Sequence, residues 1–202
     1  MASFSLVHGA WGGGWIWADV RPELEARGHA VAAPDLPCED VEAGVAEYAA
    51  CVPAADVVVG HSLGGMTIPY VQARVHVFLC ALVAGTGWHG VFGEGFGAGS
   101  VRDELGRSWY PDPADAAREQ QYPPGVVPTR LRRQAPYDPE PRAPVGRVVY
   151  VVCGEDAVIR PDWQRHLARD VLDAEVVERD WGHHPMLTHP RELAELLDAL
   201  AG

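Results

Sequence analysis

A serine between two glycines is the clearest candidate for chemistry in the chain. The pentapeptide Gly60-His61-Ser62-Leu63-Gly64 follows the apolar, β-branched residues 57–59 and precedes a stretch of helical character. This setting predicts a strand, a sharp turn and a helix, with the serine hydroxyl held clear of the sheet. We expect glycine at 60 and 64 because a Cβ at either position would collide with a neighbouring element. The pattern predicts a nucleophilic serine at Ser62, although glycine-rich composition alone can generate such a pentapeptide.

Candidate partners for this serine follow in a consistent order along the chain. A serine nucleophile needs a histidine to take its proton, and that histidine needs a carboxylate to orient it. An apolar run over 148–153 ends at Gly154-Glu155-Asp156, and a run over 175–178 leads into Trp181-Gly182-His183-His184. Both loops follow predicted strands and therefore lie at the same edge of a parallel sheet as Ser62. We predict Asp156 as the acid and His183 as the base.

Neighbouring residues compete for both roles. Glu155 adjoins the predicted acid, and Asp162 lies further along, where we interpret it as a charge at the start of a helix. His184 and His189 compete with His183. His183 is favoured because it follows a glycine and begins a His-x-Pro stretch.

A glycine-rich loop near the start of the chain completes the predicted site. A short strand over 4–7 leads into His8-Gly9-Ala10-Trp11-Gly12-Gly13-Gly14. An acyl-transfer site needs two backbone N–H groups that point at the developing oxyanion. One donor normally comes from the residue after the nucleophile, here Leu63, and the other comes from such a loop. We predict Ala10 as the second donor.

The chain resembles α/β-hydrolase-fold proteins of the small branch that contains plant methyl-ester esterases and hydroxynitrile lyases. The matching segments are 6–15, 33–37, 60–65, 154–156 and 182–187. The resemblance implies an α/β-hydrolase fold with about six mostly parallel strands and helices on both faces. We expect the family's two leading antiparallel strands to be missing, because the first predicted strand already leads into the oxyanion loop. The resemblance also implies a single domain over 1–202, with a core of 1–85 and 145–202 and a short lid insertion at about 86–144. Helix-like pieces near 100–105, 112–121 and 129–134 belong to that predicted lid.

Alternating apolar and helical segments agree with this architecture and predict parallel strands joined by right-handed crossovers. The predicted strands lie near 3–8, 29–33, 56–60, 76–84, 146–153 and 174–179. The predicted helices lie near 16–27, 42–51, 62–73, 161–172 and 190–201.

Two departures from the related lyases favour an esterase. The hydroxynitrile lyases that the chain resembles have a threonine after the histidine of the first loop and a lysine beside the catalytic histidine. These positions hold Gly9 and His184, and the sequence contains no lysine. We therefore expect a serine hydrolase that cleaves a small carboxylic ester, lactone or thioester through an acyl-enzyme. The alternatives are a lyase or cyclase that uses histidine acid/base chemistry, and a ligand-binding protein with a slow triad.

Tryptophans near the predicted loops suggest the shape of the substrate pocket. A flat apolar wall with an N–H donor suits an aromatic or alicyclic substrate. Trp11 lies in the oxyanion loop, and Trp88 follows the strand after the nucleophile. We predict a pocket formed by Gly9, Trp11, His61 and Trp88.

Composition narrows the partners, cofactors and cellular locations that we expect for the protein. The net charge is −12, and the only basic cluster is at Arg130, Arg132 and Arg133, so we expect no nucleic-acid partner. The four cysteines lack metal-ligand spacing, and we expect free thiols, no metal and no cofactor. No apolar run approaches the ~20 residues needed to span a bilayer. We expect a cytoplasmic, bacterial protein without membrane association, a monomer or homodimer that acts on a small ester-like molecule.

Overall fold

A single parallel sheet forms the centre of the molecule. The computed structural model describes residues 1–86 and 137–202. Each neighbouring pair of strands in the described sheet is parallel, in the order β2-β1-β3-β4-β5-β6. The strands are β1 (Ser3–Val7), β2 (Ala30–Ala32), β3 (Ala55–His61), β4 (Ala73–Leu79), β5 (Arg147–Cys153) and β6 (Glu175–Arg179). The predicted six-stranded α/β architecture is confirmed.

Short helices connect these strands. The α-helices are α1 (Val20–Ala26), α2 (Val45–Ala50), α3 (Pro161–His166), α4 (Pro185–Thr188) and α5 (Pro190–Leu200). Helix α3 continues as a π-helical turn over Leu167–Val171. Three 3₁₀ helices cover Gly14–Trp17, Ser62–Met66 and Ile68–Tyr70.

The inner strands of the sheet are buried on both faces because helices cover both. In β3, Val57 and Val59 belong to one core cluster, which includes residues of α1 and α5. Val58 belongs to the opposite cluster, with residues of α2 and of the π-helical turn. All three valines are fully buried. Strands covered on both faces read as continuous apolar runs, which explains the β-branched pattern of the sequence.

The segment after Ser62 differs from the predicted helix over 62–73. It forms two 3₁₀ helices, Ser62–Met66 and Ile68–Tyr70, and β4 already begins at Ala73. Adjacent Gly64 and Gly65 lower helix propensity, and Pro69 lacks the N–H that a continuous α-helix requires. The predicted helix was therefore too long.

Strand β4 also ends earlier than the apolar pattern predicted. The chain leaves the sheet at Cys80, where φ is +37°, and residues 81–84 form a buried connection without regular structure. The N–H of Leu82 donates to the carbonyl of Ser62 at 2.9 Å. This buried connection supports the turn that carries the serine, so its apolar composition reflects burial and not strand structure.

The end of the predicted lid segment packs against the core. Tyr137 stacks on Tyr48 with ring centroids 4.0 Å apart, and its hydroxyl lies 3.3 Å from that of Thr67. Burial raises the pKa of Tyr137 to about 12. The three helix-like pieces predicted between 100 and 134 lie outside the described residues, and the lid stays a prediction. In the described ranges, no helix combines the length and apolar character required to cross a membrane.

Candidate active site

Strand β3 ends in a strained turn that carries Ser62. The serine has a φ of +51°, in the left-handed region that non-glycine residues rarely occupy. Such a conformation costs about 1–3 kcal/mol and persists only when surrounding contacts impose it. A Cβ on Gly60 would lie 2.8 Å from the Gly64 carbonyl oxygen, and one on Gly64 would lie 2.8 Å from that of His8. The predicted need for both glycines therefore has a steric basis in the structure.

Asp156 and His183 form a buried hydrogen-bonded pair beside this turn. The Nδ1 atom of His183 lies 2.8 Å from Oδ2 of Asp156, and both side chains are almost completely buried. Because an ionised carboxylate only accepts hydrogen bonds, Nδ1 carries the proton and donates it. In the neutral ring, Nε2 then holds the free lone pair that a general base requires.

The Asp156 carboxylate is fixed by four donors. Oδ1 accepts hydrogen bonds from the N–H groups of Val158 and Ile159, at 2.7 and 2.9 Å. Oδ2 accepts one from His183 and one from the side-chain amide of Gln164, each at 2.8 Å. This arrangement fixes the plane of the carboxylate and, through it, the orientation of the imidazole.

Gln164 is a site residue that the sequence reasoning missed. Its side chain is fully buried, and its Nε2 donates to both Asp156 and the Ile159 carbonyl. Its Oε1 accepts the N–H of Cys153, the last residue of β5, at 2.9 Å. The side chain thus connects the end of the strand to the acid that follows it. A glutamine in the first turns of a helix carries no sequence signal that distinguishes this role from an exposed polar position.

The residues that compete for the roles of acid and base in the sequence lie in surroundings different from those of Asp156 and His183. Glu155 is exposed, whereas Asp156 is buried. Asp162 lies exposed in the first turn of α3 and accepts a hydrogen bond from the Trp163 N–H. His189 stacks on Trp181, with ring centroids 5.8 Å apart.

His61 connects the nucleophile turn directly to the loop of the predicted base. Its Nε2 donates to the backbone carbonyl of His183 at 2.8 Å, across 122 residues of sequence. The pKa of His61 lies well below its usual value, first because the ring is buried and then because His183 and His184 lie close. The ring is therefore neutral near pH 7, with its proton on Nε2. Its Nδ1 is buried and accepts no hydrogen bond from the described residues.

The glycine-rich loop after β1 is held by side chains on both sides. The buried His8 ring accepts the N–H of Leu36 on Nε2 at 3.0 Å, and its Nδ1 donates to the Gly9 carbonyl at 2.8 Å. The N–H of Gly14 donates to Asp35 at 2.7 Å. The segments 6–15 and 33–37 both belong to the sequence resemblance. These hydrogen bonds join the two segments in the structure and give the physical reason why they occur together.

Three of the predicted oxyanion and pocket residues, Gly9, Ala10 and His61, line a small cavity of about 20 Å³. Its lining combines the glycine-rich loop with two histidines: Gly9, Ala10, Gly12, Trp15, Ile16, His61 and His184. A Cβ on Gly9 would lie 2.9 Å from Cβ of Ser62 and 3.0 Å from Nδ1 of His61. Gly9 is therefore required for the close approach of the loop to the serine.

The remaining predicted residues are placed as follows. Leu63 is buried directly after the serine, and Trp11 is half-buried in the loop with a φ of +59°. Trp88 lies outside the described residues, so the aromatic substrate wall stays a prediction. A larger cavity of about 310 Å³ is lined by other residues, among them Trp15, Trp17 and Arg21. None of the predicted catalytic residues lines it.

The fold and the loops described above are those of a known protein family. A family model described as the alpha/beta hydrolase family matches residues 6–196. The chain belongs to the alpha/beta hydrolase family.

Individual relatives support the same class. Methylesterase 3 from Arabidopsis thaliana is 26% identical over 97% of this chain and 94% of that protein. A carbendazim hydrolyzing esterase from Nocardioides sp. is 37% identical over 41% of this chain and 40% of its own. The crystal structure of a pyrethroid hydrolase from Sphingobium faniae matches with a TM-score of 0.67 and 23% identity, over 98% of this chain and 96% of that one. The expected class, an α/β-hydrolase-fold enzyme of the esterase type, is confirmed.

Proposed function

We propose that the chain is a serine carboxylesterase that cleaves a small ester through an acyl-enzyme. The observation that carries the proposal is the buried 2.8 Å hydrogen bond between Asp156 and His183. The His183 ring lies 4.8 Å from that of His61, which directly precedes Ser62 at positive φ. Ser62 acts as nucleophile, His183 as general base and then general acid, and Asp156 as the group that orients the imidazole.

In the first step, the serine oxygen attacks the ester carbonyl while Nε2 of His183 takes the hydroxyl proton. The imidazolium that forms is stabilised by Asp156, whose carboxylate is already held by two backbone N–H groups and Gln164. His183 then returns the proton to the leaving alcohol. Water, activated by the same base, hydrolyses the acyl-enzyme and restores the serine.

The developing oxyanion would be bound by the backbone N–H groups of Ala10 and Leu63. Support for this role comes from the close approach of the glycine loop to the serine, which leaves no room for a side chain at Gly9. The His8 and Asp35 bonds hold the loop before the substrate arrives, so little reorganisation accompanies the reaction. A preorganised donor of this kind contributes about 3–4 kcal/mol to the stabilisation of the transition state.

A methyl ester of a carboxylic acid is the first substrate class to test. The near full-length relative named methylesterase 3 supports this choice. Lactones and thioesters follow from the same acyl-transfer chemistry. An aromatic or alicyclic acyl group remains our expectation from Trp11 and Trp88.

Covalent labelling with a fluorophosphonate, read out by intact mass, tests the proposal. Wild type and Ser3→Ala should each gain one adduct, because Ser3 lies at the start of β1, where its hydroxyl donates to Asp56. Ser62→Ala and His183→Ala should gain none. No adduct on folded wild type would contradict the proposal and would favour a lyase, a cyclase or a ligand-binding protein. An adduct retained by Ser62→Ala would refute Ser62 as the nucleophile.

A further inference from the structure

Three histidines converge beside Ser62 in a geometry suited to a divalent cation. His61 ends β3, and His183 and His184 follow β6. The three ring centroids are separated by 4.8 Å (61–183), 5.3 Å (61–184) and 4.9 Å (183–184). One ring nitrogen from each residue lies within 4.8 Å of the other two. No metal was predicted from the sequence, in which the four cysteines lack metal-ligand spacing. The fold brings the histidines together, although His61 is 122 residues from His183 along the chain.

The hydrogen bonds of these rings determine which nitrogens can bind an ion. Nδ1 of His183 is committed to Asp156, which leaves Nε2. Nε2 of His61 is committed to the His183 carbonyl, which leaves Nδ1, buried and without a hydrogen-bond partner among the described residues. His61 and His184 both line the 20 Å³ cavity beside the oxyanion loop. A buried, unpartnered nitrogen at a small cavity is a position where a ligand compensates a desolvated lone pair.

The hydrogen bonds around the cluster also suit a bound ion. Nε2 of His61 donates to the His183 carbonyl, so the lone pair of this ring lies on Nδ1. The Asp156–His183 pair reproduces the arrangement in which a carboxylate orients a metal-bound imidazole and raises its basicity. Three imidazoles with one open position are a ligand set that Zn²⁺ binds in proteins.

From this geometry we infer that His61, His183 and His184 form an inhibitory site for a divalent cation of the Zn²⁺ type. Zn–N bonds of about 2.0–2.1 Å place tetrahedral ligand nitrogens about 3.4 Å apart. The ring nitrogens here lie within 4.8 Å of one another, so binding would draw the three rings closer together. A bound ion would occupy the lone pair of His183 Nε2. The base could then not take the Ser62 proton, and hydrolysis would stop until a chelator removed the ion. The inhibition rests on the proposed function, whereas the binding does not.

Calorimetric titration with Zn²⁺ tests the binding without any need for activity. Wild type and Ser62→Ala should each bind one equivalent, because the serine hydroxyl is not among the ligands. His184→Gln should weaken the affinity by at least about tenfold. His184 is half-buried, and its substitution leaves the proposed catalytic groups in place. The matched control is His166→Gln, which removes a surface histidine paired with Asp170 and should leave the affinity unchanged.

A second, spectroscopic titration uses Co²⁺ in place of Zn²⁺. Wild type should show the visible absorption of tetrahedral Co²⁺, and His184→Gln should lose or shift it. Unchanged Zn²⁺ affinity and an unchanged Co²⁺ spectrum in His184→Gln would overturn the inference, as would no saturable binding by wild type. Loss of binding in His166→Gln would place the ion on the surface and would also overturn it.

In a fluorophosphonate-reactive enzyme, the labelling of each protein is compared with its own labelling in the absence of Zn²⁺. Zn²⁺ should block the labelling of wild type but not of His184→Gln at the same concentration, and a chelator should restore it. If wild type never labels, the proposed function fails while the calorimetry still decides the ion site. If labelling is normal and Zn²⁺ neither binds nor inhibits, only the ion site fails.

Discussion

At the residue scale, the proposed function depends on where two imidazole protons lie. Asp156 holds a proton on Nδ1 of His183, and the His183 carbonyl holds one on Nε2 of His61. Both rings therefore direct an unprotonated nitrogen away from their fixed partners. For His183 this nitrogen is the proposed base. For His61 this nitrogen is Nδ1, a buried acceptor beside the glycine-rich loop. The rings of His61 and His183 are neighbours but differ in role, because they carry the proton on different nitrogens.

Replacing the nucleophile gives the first prediction. Ser62→Ala should lower kcat for an ester substrate by about 10⁴-fold or more, because the acyl-enzyme route is lost while substrate binding remains. Steady-state kinetics on a methyl ester would measure the loss. The melting temperature should not fall, because alanine removes only the hydroxyl. Activity near that of wild type would contradict the assignment.

The second prediction concerns the hydrogen bond from His61 to the His183 carbonyl. His61→Phe removes this donor and should lower kcat by about 10- to 100-fold with little change in KM, because the base loop shifts relative to Ser62. Besides His61, the thiol of Cys80 contacts this carbonyl, at 3.4 Å. His61→Gln retains an N–H donor and should keep more activity than His61→Phe. Equal kcat values for the two variants would contradict a positioning role.

At the scale of elements, helix α3 holds Asp156, the proposed acid, through the buried side chain of Gln164. Gln164 hydrogen-bonds Cys153 at the end of β5, Asp156 in the loop and the carbonyl of Ile159. The strand, the loop and the helix are therefore fixed to one another at the point where the acid is presented.

A third prediction follows from that connection. Gln164→Leu keeps the volume but leaves the N–H of Cys153 and the Ile159 carbonyl unpaired, which should reduce the free energy of unfolding by about 2–4 kcal/mol. Catalysis should also decrease, because Asp156 loses a donor. Urea unfolding and kcat would measure the two effects. Asp162→Ala, on the exposed start of the same helix, should change stability by less than about 1 kcal/mol, and an equal effect of the two substitutions would count against the argument.

The elements also show what sequence periodicity can and cannot predict. The apolar runs located β1, β3 and β5 to within two residues, because strands buried on both faces leave a continuous signal. The same signal extended β4 too far, since residues 81–84 are buried without being in a strand. For the site, strand ends and motifs indicated Ser62, Asp156 and His183. Gln164 and the His61–His183 contact were not predictable, because both depend on tertiary proximity.

At the scale of the whole molecule, buried histidines make the free energy of unfolding depend on pH. The pKa of His61 is lowered by burial and by its histidine neighbours, and that of His76 is lowered by burial. In the unfolded chain both groups return to their ordinary value of 6.5. Below that pH the unfolded chain binds protons that the folded protein does not. The contribution to stability is therefore complete above pH 6.5 and is lost as the pH falls toward the folded values.

The fourth prediction is a decrease in the free energy of unfolding between pH 7 and pH 5. Each of the two histidines adds a slope of up to about 1.4 kcal/mol per pH unit. Urea denaturation at intervals across this range would measure it. His76→Gln should flatten the profile, because it removes one of the two groups at a distance from the proposed site. A stability that is constant or rises toward pH 5 would contradict the prediction.

The order of the strands has a consequence for how a newly made chain becomes active. Ser62 follows β3, but His183 follows β6, which is the last strand along the chain and an edge of the described sheet. Contacts this distant in sequence form late in folding, because loop closure must precede them. A nascent chain on the ribosome therefore carries Ser62 long before His183, the histidine that we propose activates it. The serine would first become reactive when β6 packs against the sheet. A partly synthesised chain would therefore not carry a reactive serine.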